Sequence, residues 1–403
     1  MTRTTHGFVP VEPGLAAPAL HTVLVEQSVS PVAPASGVSS TPRLGVLTGG
    51  ADSPGLNAAI RAVVCQGIGA GYQVYGLLNG WRGLLNGDAR RMDEGTVRDI
   101  LALGGTILGT SRLSMAMDQA DAATVREQLT HLGLRGVVVI GDHETLQTAH
   151  LLSRHGVHVV GVPETMDNDI AGTEYCIGFD SAVTTVAEAL DKLHTTASAH
   201  HRVMVVEVMG RNTGWVALAG GLAGGAHRIL VPEAPFTLDE LAAFVSKRSM
   251  GGHGFSIVVV AEGVNVAATG PRIADNPSPQ EGGALLFGGR RQPTPGELIG
   301  EALERLTGLE TRVTVLGHVQ RGGSPSVYDR LMASRFGAAA ADAAIAGQWG
   351  SMVALRDNKV SLIALAESVS GLRRADAELV RLTETLTGAA SGGIYSFKPL
   401  VAG

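Results

Sequence analysis

Short apolar runs alternate with amphipathic segments along most of the chain. The runs at 136–140 (GVVVI) and 203–208 (VMVVEV) are rich in valine, which is typical of strands buried on both faces of a sheet. The longer segments at 56–68 and 182–199 repeat apolar residues at helical spacing. This alternation predicts an α/β fold, in which helices cover both faces of doubly wound parallel sheets.

The same patterns predict the individual elements. Strands are predicted at 44–48, 74–78, 136–140, 157–162, 203–208, 229–231, 256–261 and 311–316. Helices are predicted at 56–68, 97–103, 125–132, 145–155, 182–199, 214–223, 238–247, 297–307 and 329–346. Residues 1–42 hold six of the 17 prolines and no sustained period, so we predict a flexible N-terminal extension.

Composition narrows the functional classes. The net charge of −6 argues against an electrostatic nucleic-acid binder. Only four of the 31 basic residues are lysines, and arginine suits bidentate recognition of phosphate. The longest apolar run, 216–226, is too short to span a bilayer, and no signal peptide is visible. We therefore expect a cytoplasmic protein without nucleic-acid or membrane partners.

Polar segments follow several predicted strands, where ligands bind in doubly wound sheets. The turn 48–55 (TGGADSPG) is suited to an anion through its free amide groups, although an ordinary tight turn would look the same. Neither G-x-G-x-x-G nor a P-loop sequence occurs, which disfavours both of those nucleotide sites. In 141–145 (GDHET), Asp142 and Glu144 either hold Mg²⁺ or cap the next helix.

Three further segments carry candidate chemistry. Asp167 and Asp169 lie beside a hydroxyl and an amide, an arrangement that suits either a general base or an Asx turn. Arg211 follows the strand 203–208 and can neutralise a phosphoryl group, or lie on the surface as a structural arginine. Glu262 can accept hydrogen bonds from sugar hydroxyls. His318, Arg321 and Arg312 together favour a phosphomonoester site.

Together these segments resemble the phosphofructokinase family, of both the ATP-dependent and the pyrophosphate-dependent kind. The resemblance covers about residues 43–360 and consists of collinear motifs. The motifs are LTGGADSPGLNAAIRAVV (47–64), GGTILGTSR (104–112), VPETMDNDI (162–170), GFDSAV (178–183), EVMGRNTGW (207–215), AEG (261–263) and RVTVLGHVQRGGSPSVYDR (312–330). It implies two doubly wound parallel-sheet lobes and phosphorylation of the 1-hydroxyl of fructose 6-phosphate to fructose 1,6-bisphosphate, with Mg²⁺ as cofactor.

The resemblance also implies the role of each site residue. Asp167 is the general base, Thr165 and Asp169 support it, and Arg211 bridges the transferring phosphoryl group. The sugar phosphate is bound by Met209, Gly210, Glu262, His318 and Arg321, and by Arg202 and Arg312 reaching in from a neighbouring subunit. The phosphate donor lies against Gly50, Asn57, Arg112, Asp142, Glu144 and Thr145, of which Asp142 and Glu144 are the candidate metal ligands.

The implied organisation has a donor-binding lobe and a sugar-phosphate-binding lobe. The first spans 43–180 plus about 320–365, and the second spans 181–319 plus about 366–403. A site completed by arginines of a neighbouring subunit implies a homodimer or a homotetramer.

The sequence departs from the family pattern on the donor side. Ala51 replaces a glycine in the first loop, and His143 stands where a carboxylate would bind Mg²⁺. Glu144 stands where glycine favours ATP and aspartate favours pyrophosphate. Glu164 replaces the lysine of pyrophosphate users, which predicts repulsion of a polyanionic donor. The donor is thus unresolved between ATP and pyrophosphate. A diverged enzyme acting on another sugar phosphate or phosphoester and a non-catalytic sugar-phosphate-binding subunit are the alternatives.

Overall fold

The computed structural model describes residues 41–111, 119–252, 254–266 and 293–387. Almost all of the predicted N-terminal extension lies outside these residues. Up to the middle of the chain the elements are β1 (Arg43–Gly49), α1 (Leu56–Gly69), β2 (Gln73–Leu77), α2 (Gly80–Asn86), β3 (Ala89–Met92), α3 (Glu94–Val97), α4 (Gln119–Leu132), β4 (Leu134–Gly141), α5 (His143–Arg154), β5 (Val159–Pro163) and α6 (Phe179–His200). They are followed by β6 (Val203–Val208), α7 (Trp215–Ala223), β7 (Arg228–Leu230), α8 (Leu238–Met250), β8 (Ser256–Ala261), α9 (Pro295–Thr307), β9 (Thr311–Val315), a 3-10 turn (Gly317–Arg321), α10 (Val327–Ile345), β10 (Ser351–Arg356), β11 (Lys359–Ala364), α11 (Leu365–Ser368) and α12 (Ala377–Leu386).

The larger sheet has seven strands in the order β11-β10-β5-β4-β1-β2-β3. Its central strands are parallel, and both of its faces are buried. Val138 and Ile140 of β4 pack in one apolar cluster, with α1 and α10, whereas Val137 and Val139 pack in another on the opposite face. The valine-rich pattern of these strands follows from this burial on two sides.

The smaller sheet has four parallel strands in the order β7-β8-β6-β9. Its central strands β6 and β8 are buried at every position. The carboxyl ends of β6 and β8 lead into the segments that carry Arg211 and Glu262. This confirms the prediction of an α/β fold with two parallel sheets, and it places the predicted motifs at strand ends.

A buried carboxylate joins α10 to the beginning of α6. Asp329 is fully buried and accepts hydrogen bonds from the backbone N–H groups of Gly178 and Ser181, the Ser181 hydroxyl and the Tyr175 hydroxyl, at 2.6–2.8 Å. Gly178 has a φ of 100°, and a Cβ there would overlap the Ser53 side chain. These contacts fix the segment between β5 and α6, which carries the candidate base.

Several elements differ from the predictions. The predicted helix at 97–103 is wrong, because helix α3 ends at Val97 and Asn57 holds the chain that follows by donating to the backbone oxygens of Leu103 and Gly104. The short helix α2 was not predicted, nor were the antiparallel edge strands β3 and β11 and the strand β10, which pairs in parallel with β5 and antiparallel with β11. Those edges carry mixed polar residues in place of an apolar run, as half-exposed strands do. No helix in the described ranges is long and apolar enough to span a membrane.

Candidate active site

The loop after β5 carries the candidate base, Asp167. The residue is 3% exposed, and its Oδ1 has no hydrogen-bond partner. The backbone N–H of Asp167 donates to the Thr165 hydroxyl at 3.1 Å, and the Thr213 hydroxyl donates to the backbone oxygen of Asp167. Burial, and then the charge of Asp169, raise the pKa of Asp167 to about 7, against the attraction of Arg321 and Arg211. A carboxylate with that pKa can take up a proton at neutral pH.

Arg211 lies beside this base. Its Nε is 3.9 Å from Oδ2 of Asp167, and its Nη1 donates to Oε1 of Glu144 at 3.3 Å. The backbone N–H groups of Gly210 and Arg211 both donate to Oε1 of Glu262, at 3.1 and 2.8 Å. Glu262 therefore holds the loop after β6 in place, with Arg211 at a φ of 47°.

A cavity of about 440 Å³ opens beside these groups. It is lined by His143, Glu144, Gln147, Asp169, Arg211, Asn212 and Leu372. Burial raises the pKa of Asp169, against the attraction of His143. The cavity thus brings residues from the ends of β4, β5 and β6 together, and its size fits a small ligand.

The remaining predicted sugar-phosphate ligands lie at two ends of the smaller sheet. Met209, His318 and Arg321 follow the carboxyl ends of their strands, on the side of Arg211. Arg321 is 7% exposed and donates to the backbone oxygen of Asp52 at 3.3 Å.

Arg202 and Arg312, by contrast, lie at the amino ends of β6 and β9, and both pair with the Glu310 carboxylate. Because β6 is six residues long, this edge is roughly 20 Å from Arg211. The two arginines are therefore not part of the site that their own chain forms at the opposite edge.

On the predicted donor side, most groups already have partners within the protein. The Asp142 carboxylate caps α5 by accepting from the N–H and the hydroxyl of Thr145, and it also accepts from the N–H of Ala51. The Asn57 side-chain amide donates to the backbone oxygens of residues 103 and 104 and accepts from the backbone N–H of residue 107. Gly50 has a φ of 85°, and Arg112 lies outside the described residues.

The residues present do not fit Mg²⁺ at the two predicted ligands. Within 41–111, 119–252, 254–266 and 293–387, no group of three histidine, cysteine or acidic side chains is placed to hold a metal ion. Asp142 is occupied by three donors, and Glu144 by Arg211. His143 offers an imidazole, whose Nδ1 is buried without a partner, and Mg²⁺ prefers oxygen.

Glu164 is not the exposed charge that the expected repulsion of a donor requires. Glu164 is fully buried, and its Oε1 accepts a hydrogen bond from the Ser53 hydroxyl. Burial raises the pKa of Glu164 well above its usual value, against the effect of that hydrogen bond. Burial therefore favours the uncharged form of this side chain, which weakens any repulsion of a polyanion.

Sequence reasoning missed a clamp formed by Arg373. Its guanidinium lies 4.1 Å from the ring of Trp215 and donates to the backbone oxygens of Asn168 and Glu174, at 3.3 and 3.0 Å. Its backbone N–H donates to the oxygen of Asp169 at 2.7 Å. Since Arg373 lies outside every motif, more than 200 residues after the loop it holds, no sequence signal pointed to it.

Comparison with known proteins agrees with this geometry. The family model described as phosphofructokinase matches residues 43–344. The chain is 46% identical over 345 residues to ATP-dependent 6-phosphofructokinase 3 of Streptomyces coelicolor, covering 84% of this chain and 99% of that protein. It is 44% identical over 347 residues to pyrophosphate–fructose 6-phosphate 1-phosphotransferase of Amycolatopsis methanolica, covering 86% and 100%.

The fold has the same relatives. The crystal structure of a pyrophosphate-dependent phosphofructokinase from Nitrosospira multiformis superimposes with a TM-score of 0.72 at 21% identity, covering 89% of this chain and 94% of that one. The chain has two sheets with parallel central strands, and a buried aspartate lies beside an arginine at their carboxyl edges. Its relatives are matched over nearly their whole length. This chain therefore belongs to the phosphofructokinase family.

Proposed function

We propose that this chain transfers a phosphoryl group to the 1-hydroxyl of fructose 6-phosphate and makes fructose 1,6-bisphosphate, with ATP or pyrophosphate as the donor. The observation that carries this proposal is the pair formed by Asp167, whose pKa is raised to about 7, and Arg211, 3.9 Å away. The named activities of its relatives, with both donors, support it.

In the proposed reaction, Asp167 accepts the proton of the 1-hydroxyl as its oxygen attacks the terminal phosphorus of the donor. The bond from that phosphorus to the leaving oxygen breaks, which releases ADP or phosphate. Arg211 offsets the charge that spreads over the phosphoryl oxygens, and Thr165 and Asp169 hold the base in place.

The acceptor side of the site is proposed to bind the sugar phosphate through charge and backbone contacts. The proposed ligands are Met209, Gly210, Glu262, His318 and Arg321, with Arg202 and Arg312 completing the site of a neighbouring subunit. The position of these last two arginines, at the far edge of the smaller sheet, supports a homodimer or a homotetramer. We also propose that the chain acts in the cytoplasm. As predicted, one of its lobes is proposed to bind the phosphate donor and the other the sugar phosphate.

The test is to incubate the purified chain with fructose 6-phosphate, Mg²⁺ and either ATP or pyrophosphate, and to measure fructose 1,6-bisphosphate. Asp167→Asn should abolish product while calorimetric binding of fructose 6-phosphate is retained, whereas the surface change Asp239→Asn should alter neither. Binding of the sugar phosphate without product from either donor would refute the proposal and favour a non-catalytic subunit.

A further inference from the structure

Two strand-to-helix turns face each other at the carboxyl edge of the larger sheet. β1 and β4 are neighbours, and Gly49 pairs with Gly141 at their ends. The backbone N–H groups of Ala51, in the first turn, and Thr145, in the first turn of α5, both donate to the carboxylate of one side chain, Asp142. Amide groups that converge in this way form a seat for an anion.

The Asp142 carboxylate fills that seat. Its Oδ1 accepts from the N–H and hydroxyl of Thr145 at 3.0 and 2.8 Å, and its Oδ2 accepts from the N–H of Ala51 at 3.3 Å. The side chain is 6% exposed. A Cβ on Gly50 would lie 2.3–2.4 Å from all three atoms of the carboxyl group, so the carboxylate is packed directly against the glycine turn.

An independent observation comes from the residue behind these turns. Glu164 is fully buried at the end of β5, where its backbone N–H donates to the oxygen of Gly141, and Asp142 is among the charges that act on it. Its Oε1 accepts from the Ser53 hydroxyl, but its Oε2 has no partner. Burial without a partner for Oε2 favours the protonated form of this carboxyl group, which can donate to an incoming oxygen.

A phosphate oxygen and the Asp142 carboxylate seek the same two amide groups, and both carry negative charge. Each N–H group already donates to a carboxylate oxygen of Asp142, so a phosphate oxygen gains these hydrogen bonds only by displacing the carboxylate. Bringing a phosphate beside the carboxylate would also add repulsion between like charges.

We propose that Asp142 is a specificity-determining residue, which occupies the seat of the donor's terminal phosphate and weakens the binding of polyphosphate donors until it is displaced. This inference rests on the proposed function, since it concerns the donor of that reaction. It differs from the sequence-based prediction that Asp142 ligates Mg²⁺, because a metal ligand would strengthen donor binding.

The test measures binding of inorganic pyrophosphate to the full chain by calorimetry, without fructose 6-phosphate so that no transfer takes place, in Mg²⁺ and again in EDTA. Asp142→Gly should bind pyrophosphate at least about tenfold more tightly than wild type in both media, as expected when a charged ligand regains hydrogen bonds to the amide groups. Asp142→Asn, which keeps the shape and removes the charge, should give a smaller gain.

The matched control is Asp93→Gly. Asp93 caps α3 by accepting from the N–H and hydroxyl of Thr96 at 2.8 and 2.7 Å, which repeats the contacts of Asp142 with Thr145 at an exposed position. This variant loses a cap without opening a seat, so its pyrophosphate affinity should equal that of wild type. A gain as large as that of Asp142→Gly would overturn the proposal.

The proposal would also be overturned if Asp142→Gly bound pyrophosphate with the same affinity as wild type. If Asp142→Gly bound pyrophosphate more weakly than wild type in Mg²⁺ only, Asp142 would be a metal ligand instead. If Asp142→Gly does not fold, Asp142→Asn decides: tighter binding supports the proposal, and equal or weaker binding contradicts it. Fructose 6-phosphate binding and bisphosphate formation are measured separately. If neither is observed, the proposed function is refuted, but the pyrophosphate affinities of wild type and variants can still be compared.

Discussion

Asp167 destabilises the folded protein increasingly as pH rises from about 4 to about 7, and replacing it should remove this effect. Its pKa is raised to about 7 from 3.8, first by burial and then by the charge of Asp169. A carboxyl group whose pKa is raised on folding holds its proton more firmly in the folded state. The stability that this group contributes to the fold is therefore lost as pH rises through about 7. Asp167→Asn cannot ionise and does not suffer this loss.

The expected size follows from the pKa difference. Between the unfolded and folded pKa values, wild type loses about 1.4 kcal/mol for each pH unit, which amounts to about 3 kcal/mol between pH 5 and pH 7. The entropy of unfolding is roughly 2 cal/mol/K per residue, and the chain has 403 residues. Dividing the free-energy difference by this total entropy gives a melting-temperature difference of about 3–4 °C.

The assay is thermal unfolding of wild type and Asp167→Asn at pH 5 and pH 8. The variant should gain about 3–4 °C relative to wild type between the two pH values, while its transfer activity is lost. The surface change Asp239→Asn should show no such gain. If the melting-temperature difference between Asp167→Asn and wild type were the same at both pH values, burial would not raise the pKa of Asp167. The assignment of Asp167 as a base with a pKa near 7 would then be refuted.

Three other changes test the surroundings of this base. Arg373→Ala should lower kcat by roughly 10- to 100-fold and shift the pH–rate profile, because the loop that carries Asp167 loses its clamp; unchanged kcat would contradict the positioning role. Asp329→Asn should cost about 2–4 kcal/mol in urea unfolding, since it turns an acceptor of four donors into a partial donor. Glu164→Gln should leave stability within about 1 kcal/mol and the donor KM unchanged, because burial already favours the uncharged form of Glu164; a lower donor KM would restore the repulsion hypothesis.

Much of the fold was readable in the chain because buried parallel strands need apolar runs. The strands at 203–208 and 256–261 were predicted at their observed bounds for that reason. The hairpin of β10 and β11 was missed, because β11 is an edge strand with mostly half-exposed or exposed positions and no apolar run. The helix predicted at 97–103 failed because Asn57, distant in sequence, holds that segment in a loop.

The site divides in the same way. Asp167 and Arg211 were identified from their places after strands, since the carboxyl ends of parallel strands meet at one edge. The clamp of Arg373 and the pairing of Arg202 with Glu310 have no local signal, since they join positions far apart in the chain.

The protonation of Glu164 and the occupancy of Asp142 show most clearly what residue type leaves open. From the sequence, Glu164 is a charge that repels the donor, and Asp142 is either a metal ligand or a cap. Burial beside Ser53 favours the uncharged form of Glu164, and the hydrogen bond from Ala51 makes Asp142 the occupant of an anion seat. Periodicity and strand-end position specify which residues meet, whereas charge state and hydrogen-bond partner depend on solvent exclusion and on neighbours that only the folded chain brings together.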